Sequence, residues 1–199
     1  MSLQRLISLI SSEGDDMRIL MVGDRVRLAR LLITGLLRYG STEWGRACCE
    51  GDQIQLFDFS EDEPKKPMQL TSPHLAARIR RHKGNDWTQR CLQPIDGVVN
   101  TAFFSLSLLL LQIAHTKDWV TLQEESFLPS GTAEYELALN LAKHSSGMPP
   151  RYHRAVEKLL QYEIPDLDDI GEHLQGKIHE EIIMPLEELE LIMLEDKPL

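Results

Sequence analysis

The first forty positions carry two different patterns of apolar residues. Residues 19–22 form a compact apolar run that ends at Gly23 and Asp24, which predicts a buried strand entering a loop. From residue 25 to residue 38, apolar residues recur every three to four positions with arginines between them, which predicts an amphipathic helix. Gly40 marks the predicted end of this helix, and a short helix is also predicted over residues 2–10.

The same two patterns alternate as far as residue 147. Further strands are predicted over residues 54–58, 95–104 and 118–123, and helices over residues 73–84, 105–116 and 131–147. Strands that alternate with helices are typical of a mostly parallel sheet with helices on both faces. The sequence therefore predicts an α/β domain over residues 1–147.

From Met148 onward the apolar pattern is helical throughout. Residues 151–164 and 165–184 each carry an apolar stripe at helical spacing, Pro185 is expected to interrupt the helix, and residues 186–194 close the chain. We expect a helical C-terminal extension over residues 148–199, packed either on the α/β domain or on a partner.

One short match to a nucleotide-binding signature lies inside the first amphipathic helix. Gly35, Gly40, Ser41 and Thr42 have the spacing of a phosphate-binding loop, but its lysine is absent. Such a loop joins a strand to the N-terminus of a helix, where free backbone N–H groups attract anions. Because Gly35 falls within the predicted helix and Gly40 at its C-terminal end, we interpret the match as helix punctuation.

Composition narrows the class of protein. The chain has 199 residues, of which 42% are hydrophobic and 26% charged, as in ordinary globular proteins. Its three cysteines lack metal-binding or CxxC spacing and no glycosylation sequon occurs, which predicts a reducing intracellular location, cytoplasmic or nuclear. No signal sequence is predicted, because the first residues turn acidic before any long apolar run, and the most apolar stretch, residues 98–114, is expected to be too short and polar for a membrane span.

Charge is unevenly distributed along the chain. Residues 1–120 carry 15 basic and 14 acidic side chains, whereas residues 121–199 carry 6 basic and 17 acidic ones. The acidic half argues against a nucleic-acid surface there. It could favour a basic protein partner, although solubility alone is an adequate explanation of acidic surface charge.

Three segments, "RILMVGD", "IQLFDF" and "DGVVNTAFFSLSLLLL", resemble the first, third and fourth strands of a small GTPase over residues 17–147. The glycine-rich loop with its lysine and the Asn-Lys-x-Asp motif are both missing. The resemblance therefore implies a pseudo-GTPase that serves as a structural subunit. "RILMVGD" is also similar to the start of a response-regulator receiver, which would make Asp24 a metal-binding acid and Asp58 the phosphoacceptor, although Gly23 replaces the second acid.

A basic cluster follows the charged loop near residue 60. It could contact phosphates or an acidic partner, or it could be a solvated helix end whose charges suit the helix dipole. The cluster comprises Arg78, Arg80, Arg81, Lys83, Trp87 and Arg90.

The other candidate sites, for a metal ion and for a nucleophilic serine, have weaker support in the sequence. His173 and His179 are six residues apart and so do not share a helix face as metal ligands should. No GxSxG elbow presents a nucleophilic serine. No catalytic residue, cofactor or metal ion is predicted.

The C-terminal run "LEELELIMLED" supplies a second set of candidate interaction residues. Leu186, Leu189, Ile192 and Met193 could pack against a partner or complete the protein's own core. With no catalytic signature, the sequence predicts a non-enzymatic structural or adaptor subunit whose partners are other protein subunits. Two alternatives stay open, a nucleotide- or phosphorylation-responsive switch and a nucleic-acid-associated protein that uses the basic cluster at 78–90.

Overall fold

A computed structural model describes residues 3, 7, 21–39, 100–126, 133–144, 146–162 and 172–195. Of these residues 87% are helical and none lies in a strand, so this part of the protein is all-helical. Leu3 and Ile7 are helical and buried. The longer elements are α1 (Val22–Tyr39), α2 (Thr101–His115), α3 (Trp119–Glu125), α4 (Glu134–Lys143), α5 (Pro150–Gln161), α6 (Glu172–Ile178), a π-helical turn (His179–Ile183) and α7 (Met184–Glu195).

The predicted α/β fold is wrong. Residues 101–104 and 119–123, expected in strands, belong to α2 and α3, and Val22 begins α1 instead of ending a strand. Asp24 consequently lies in the first turn of α1 and not at the tip of a strand, as the receiver interpretation required. The pseudo-GTPase interpretation conflicts with the structure as well, because the residues that are described form helices and no strand. The predicted elements at 54–58 and 73–84, with Asp58, lie outside the described residues.

Helix α2 is the central element, because it is buried on nearly every side. Ten of its 15 residues are buried, and it packs against α1, α3, α4 and α5. The helix begins where the Asn100 Oδ1 accepts hydrogen bonds from the backbone N–H groups of Ala102 and Phe103, each at 3.0 Å. A continuous apolar run is compatible with a buried strand or a buried helix, which is why the pattern alone misplaced its first turn.

Helix α3 is also started by a side-chain cap. The Asp118 Oδ1 accepts the backbone N–H of Thr121 at 2.8 Å. Trp119 then joins this helix to both neighbours, because its backbone N–H donates to the Gln112 side chain and its indole Nε1 donates to Glu134. These bonds fix "DWVTLQ" as a helical turn and not as the predicted strand.

The predicted helix over residues 25–38 is confirmed by α1. Its buried residues recur at helical spacing from Val26 to Leu36, and Gly35 lies inside the helix, as expected for helix punctuation. The helical predictions over 105–116, 131–147 and 151–164 are likewise confirmed by α2, α4 and α5, with small differences at their ends.

The chain continues as a helix through Pro185, which was expected to interrupt it. A proline inside a helix lacks its N–H and its ring clashes with the carbonyl four residues earlier. Here the preceding turn is widened into a π-helical turn, in which the Met184 N–H donates to the His179 carbonyl, five residues back. The wider turn gives the proline ring room, so α7 follows without a break.

The helices after residue 148 pack on the earlier ones in the same chain. Helix α5 packs against α2, α4 and α7, and α7 packs against α1. Buried residues from all these helices form one continuous hydrophobic core. None of the helices described is long and apolar enough to cross a membrane.

Candidate functional site

Helices α1 and α7 lie antiparallel, and their contacts determine which side of α7 remains exposed to solvent. Gly23 at the start of α1 lies against Met193 near the end of α7. Farther along, the Arg30 Nε donates to the Glu190 Oε2 at 2.7 Å, and the Arg27 Nε lies 3.6 Å from the Glu190 Oε1. The Glu190 side of α7 is therefore held against α1.

The apolar residues of α7 divide between two sides of the helix. Leu186 and Leu189 are 1% and 6% exposed and belong to the protein's own core, and Met193 packs partly against that core. Ile192, in contrast, is 50% exposed. Of the four residues singled out in this segment, only Ile192 is thus largely available to another molecule.

Ile192 belongs to a larger exposed surface, which we call the outer face of α7: Met184, Glu188, Leu191 and Ile192. Met184 is 43% exposed and Leu191 is 61% exposed. The steps from 184 to 188 and from 188 to 191 and 192 are three or four residues, so these side chains share one side of the helix. They cover about two turns, or roughly 12 Å of helix.

The surroundings of the outer face are strongly acidic. Residues 172–195 contain seven glutamates and one lysine. Glu180 and Glu188 are exposed, and the Glu188 Oε2 accepts from the Arg151 Nη1 at 2.9 Å across the surface between α7 and α5. Exposed apolar side chains interspersed with glutamates are chemically suited to a partner surface that carries both apolar and positively charged groups.

The π-helical turn is tied to α5, which fixes the start of α7. The Lys158 Nζ donates to the Glu181 Oε2 at 3.0 Å. This hydrogen bond, with the charges of Lys158 and Lys177, lowers the pKa of Glu181. Ile182 and Ile183 in the same turn are buried, so the turn is anchored in the core while Met184 faces outward.

A second cluster of polar side chains lies where α2, α4 and α5 meet. The His153 Nδ1 donates to the Ala142 carbonyl at 3.0 Å, at the end of α4, and its Nε2 lies 3.2 Å from the Ser146 Oγ. His115, the last residue of α2, has a buried Nε2 without a hydrogen-bond partner among the described residues. Burial is the main cause that lowers the pKa of both histidines.

The tautomer of His153 follows from its partners. A carbonyl only accepts hydrogen bonds, so Nδ1 carries the proton and the neutral ring keeps a lone pair on Nε2. Nε2 therefore accepts from the Ser146 hydroxyl. A serine beside a histidine base is one element of nucleophilic catalysis, but such a site also needs donors for an oxyanion.

The remaining sequence candidates do not converge on a site in the described ranges. Arg78, Arg80, Arg81, Lys83, Trp87 and Arg90 lie outside those ranges. His173 and His179 are both exposed, in α6 and at the start of the π-helical turn. Among the residues searched, no group of three or more His, Cys, Asp or Glu side chains is placed to hold a metal ion.

Sequence reasoning missed both features of the structure. The exposure of Met184 and Leu191 depends on the helical register after the π turn, which the pattern does not specify. Ser146 and His153 are near in sequence, but His115 is 38 positions from His153 and no spacing rule connects them.

Comparison with protein-family models, with curated proteins and with solved structures finds no match to this chain.

Proposed function

We propose that this protein is a non-enzymatic adaptor or structural subunit that binds a helix of a partner protein on the outer face of α7. The observation that carries the proposal is the exposure of Met184, Leu191 and Ile192 on one side of a helix whose opposite side is packed in the core. Cysteine usage supports an intracellular setting, cytoplasmic or nuclear.

The partner is inferred from the charge around this face. Apolar side chains of an amphipathic helix would cover Leu191 and Ile192, and lysines or arginines of the same helix would lie near Glu180 and near Glu188, which already pairs with Arg151. A second copy of this chain fits less well, because pairing two such faces would bring like charges together. We therefore infer a basic amphipathic helix.

The defined probe for this proposal is a synthetic amphipathic helix of Leu and Lys, compared with a Leu and Glu helix of the same length. We expect the full chain to bind the Leu/Lys helix preferentially, as measured by fluorescence anisotropy. Replacing Leu191 and Ile192 together by Ser removes apolar contact area without changing charge. Because central apolar residues dominate such interfaces, binding should weaken by about tenfold or more.

Val120→Ser is the matched control, because Val120 is as exposed as Leu191 but lies on α3. The affinity of the Val120→Ser variant for the Leu/Lys helix should equal that of the unaltered chain. Equal losses in the α7 variant and the Val120 variant, or equal binding of the Leu/Glu helix, would contradict the proposal. Self-association that depends on Leu191, detected by sedimentation velocity, would show that a second copy occupies the face.

A further inference from the structure

One methionine lies within the outer face of α7, and the residues before it fix its position. Met184 is 43% exposed and directly follows the π-helical turn. Ile182 and Ile183 in that turn are buried. The Lys158 Nζ donates to the Glu181 Oε2 at 3.0 Å, which ties the same turn to α5. Because this turn is anchored in the core and to α5, Met184 is held at the surface in the folded protein.

The methionines in the described part of the chain differ in exposure. Met148 is 5% exposed and belongs to the core, and Met193 packs partly against that core. Met21 is 57% exposed, but it precedes α1 and is not part of the outer face of α7. Of these four residues, Met184 is therefore the one that is both exposed and placed where we propose that a partner binds.

The side chain of methionine changes its polarity in a single reversible reaction. The sulfur lone pair attacks an oxygen of hydrogen peroxide, the O–O bond breaks, and the other oxygen leaves as water after proton transfer. The thioether is oxidised and the peroxide is reduced by the same electron pair. The product, methionine sulfoxide, is polar, and methionine sulfoxide reductases return it to the thioether.

This reaction would change the contact between the outer face of α7 and a partner helix. The apolar side chains of an amphipathic helix cannot donate a hydrogen bond to the sulfoxide oxygen. Glu188 on the same face is a carboxylate that accepts from Arg151, so it provides no donor either. Covering the oxidised side chain would therefore cost free energy that covering the thioether does not.

We propose that Met184 is a redox-sensitive modification site, and that its oxidation to the sulfoxide by hydrogen peroxide releases the partner from the outer face of α7. Release depends on the proposed function, whereas selective oxidation of Met184 depends only on its exposure. Peroxide reaches this side chain without unfolding of the chain. A bound partner helix covers Met184 and should slow the reaction.

The experiment treats the full chain with dilute hydrogen peroxide and locates the sulfoxides by peptide mass spectrometry. Met184 should be oxidised at least about tenfold faster than Met148, because the reagent reaches an exposed sulfur directly. Affinity for the Leu/Lys helix, measured by fluorescence anisotropy, should fall by about threefold or more, and methionine sulfoxide reductases should restore it. The Tm of the treated chain should not change.

Two variants assign the loss of affinity to one residue, each compared with its own untreated form. Met184→Leu removes the thioether and keeps an apolar side chain of similar volume, so treatment should not lower its affinity. Met21→Leu is the matched control, because it removes an exposed thioether outside the outer face of α7. Its affinity should still fall after treatment.

Several outcomes would overturn this inference while the proposed function stands. They are oxidation of Met184 no faster than that of Met148, full binding after complete oxidation of Met184, and an equal loss of affinity in treated Met184→Leu. A fall in Tm that accompanies the loss would do the same, because unfolding would then be the cause. If the untreated chain did not bind the Leu/Lys helix, the proposed function and the release of a partner would both be overturned.

Discussion

At the scale of single residues, two side chains from different helices attach to the backbone of α2. The Tyr152 hydroxyl donates to the Leu110 carbonyl at 2.9 Å, and the Arg25 Nη1 donates to the Ala114 carbonyl at 3.1 Å. Burial raises the pKa of Tyr152, so its hydroxyl remains a donor at neutral pH. Arg25 places its charge near the C-terminal end of α2, where the helix dipole favours a cation. Both contacts satisfy groups that would be costly to bury alone.

Replacing Tyr152 by Phe tests the first of these contacts. The substitution keeps the ring but removes the donor, so the free energy of unfolding should fall by about 1 kcal/mol in urea denaturation. Tyr135→Phe is the control, because the Tyr135 hydroxyl is only partly buried and donates over a longer 3.3 Å to the Leu160 carbonyl. A loss at Tyr135 equal to or larger than that at Tyr152 would show that burial of the hydroxyl is not the cause.

At the scale of elements, the caps decide what the apolar pattern leaves open. The apolar patterns at 95–104 and 118–123 predict strands, because periodicity alone does not distinguish a short apolar strand from a helical segment, yet residues 101–104 and 119–123 are helical. Asn100 and Asp118 each place an oxygen where it accepts from the first helical turn. These caps are visible in the sequence, but Asn and Asp also occur widely in turns, so their role is clear only once a helix follows.

Removal of the Asn100 cap gives an element-scale prediction. Asn100→Ala leaves two backbone N–H groups of α2 without their acceptor, and should lower the free energy of unfolding by about 1 kcal/mol. Asn100→Ser retains a capping oxygen and should lose much less. The two variants, compared by chemical denaturation, should differ clearly; similar stabilities would mean that the cap does not stabilise α2.

At the scale of the whole molecule, α1 and α7 join distant parts of the chain. Glu190 is 9% exposed and lies between Arg27 and Arg30, while Glu187 also lies 3.6 Å from Arg30 but is much more exposed. A carboxylate that is removed from water and held by two guanidinium groups contributes more than one at the surface. The difference in exposure between Glu190 and Glu187 allows the contribution of the buried carboxylate to the packing of α1 against α7 to be tested.

We expect Glu190→Gln to lower the free energy of unfolding by about 1–2 kcal/mol, because two partly buried arginines lose a charged partner that is itself buried. Glu187→Gln removes the same charge at a more exposed position, and should cost less than about 0.5 kcal/mol. Both can be measured by urea denaturation at low and moderate salt. If the two variants were equally stable, the α1–α7 pair would not depend on the buried carboxylate.

The sequence by itself determined the strongly amphipathic elements of this protein. Helix α1 and the helices after residue 148 could be predicted because each has one apolar and one polar face. Such a helix shows apolar residues at intervals of three or four positions in the sequence. The excess of acidic side chains after residue 120, on which the choice of a basic partner rests, is equally a property of the sequence.

Only the tertiary structure decided the rest. Helix α2 is helical because neighbouring helices surround it, a condition that a uniformly apolar run does not reveal. The outer face of α7 exists because contacts with α1 bury Glu190 and turn Leu191 outward. In each case the deciding interaction joins residues far apart in the chain, where local periodicity carries no information.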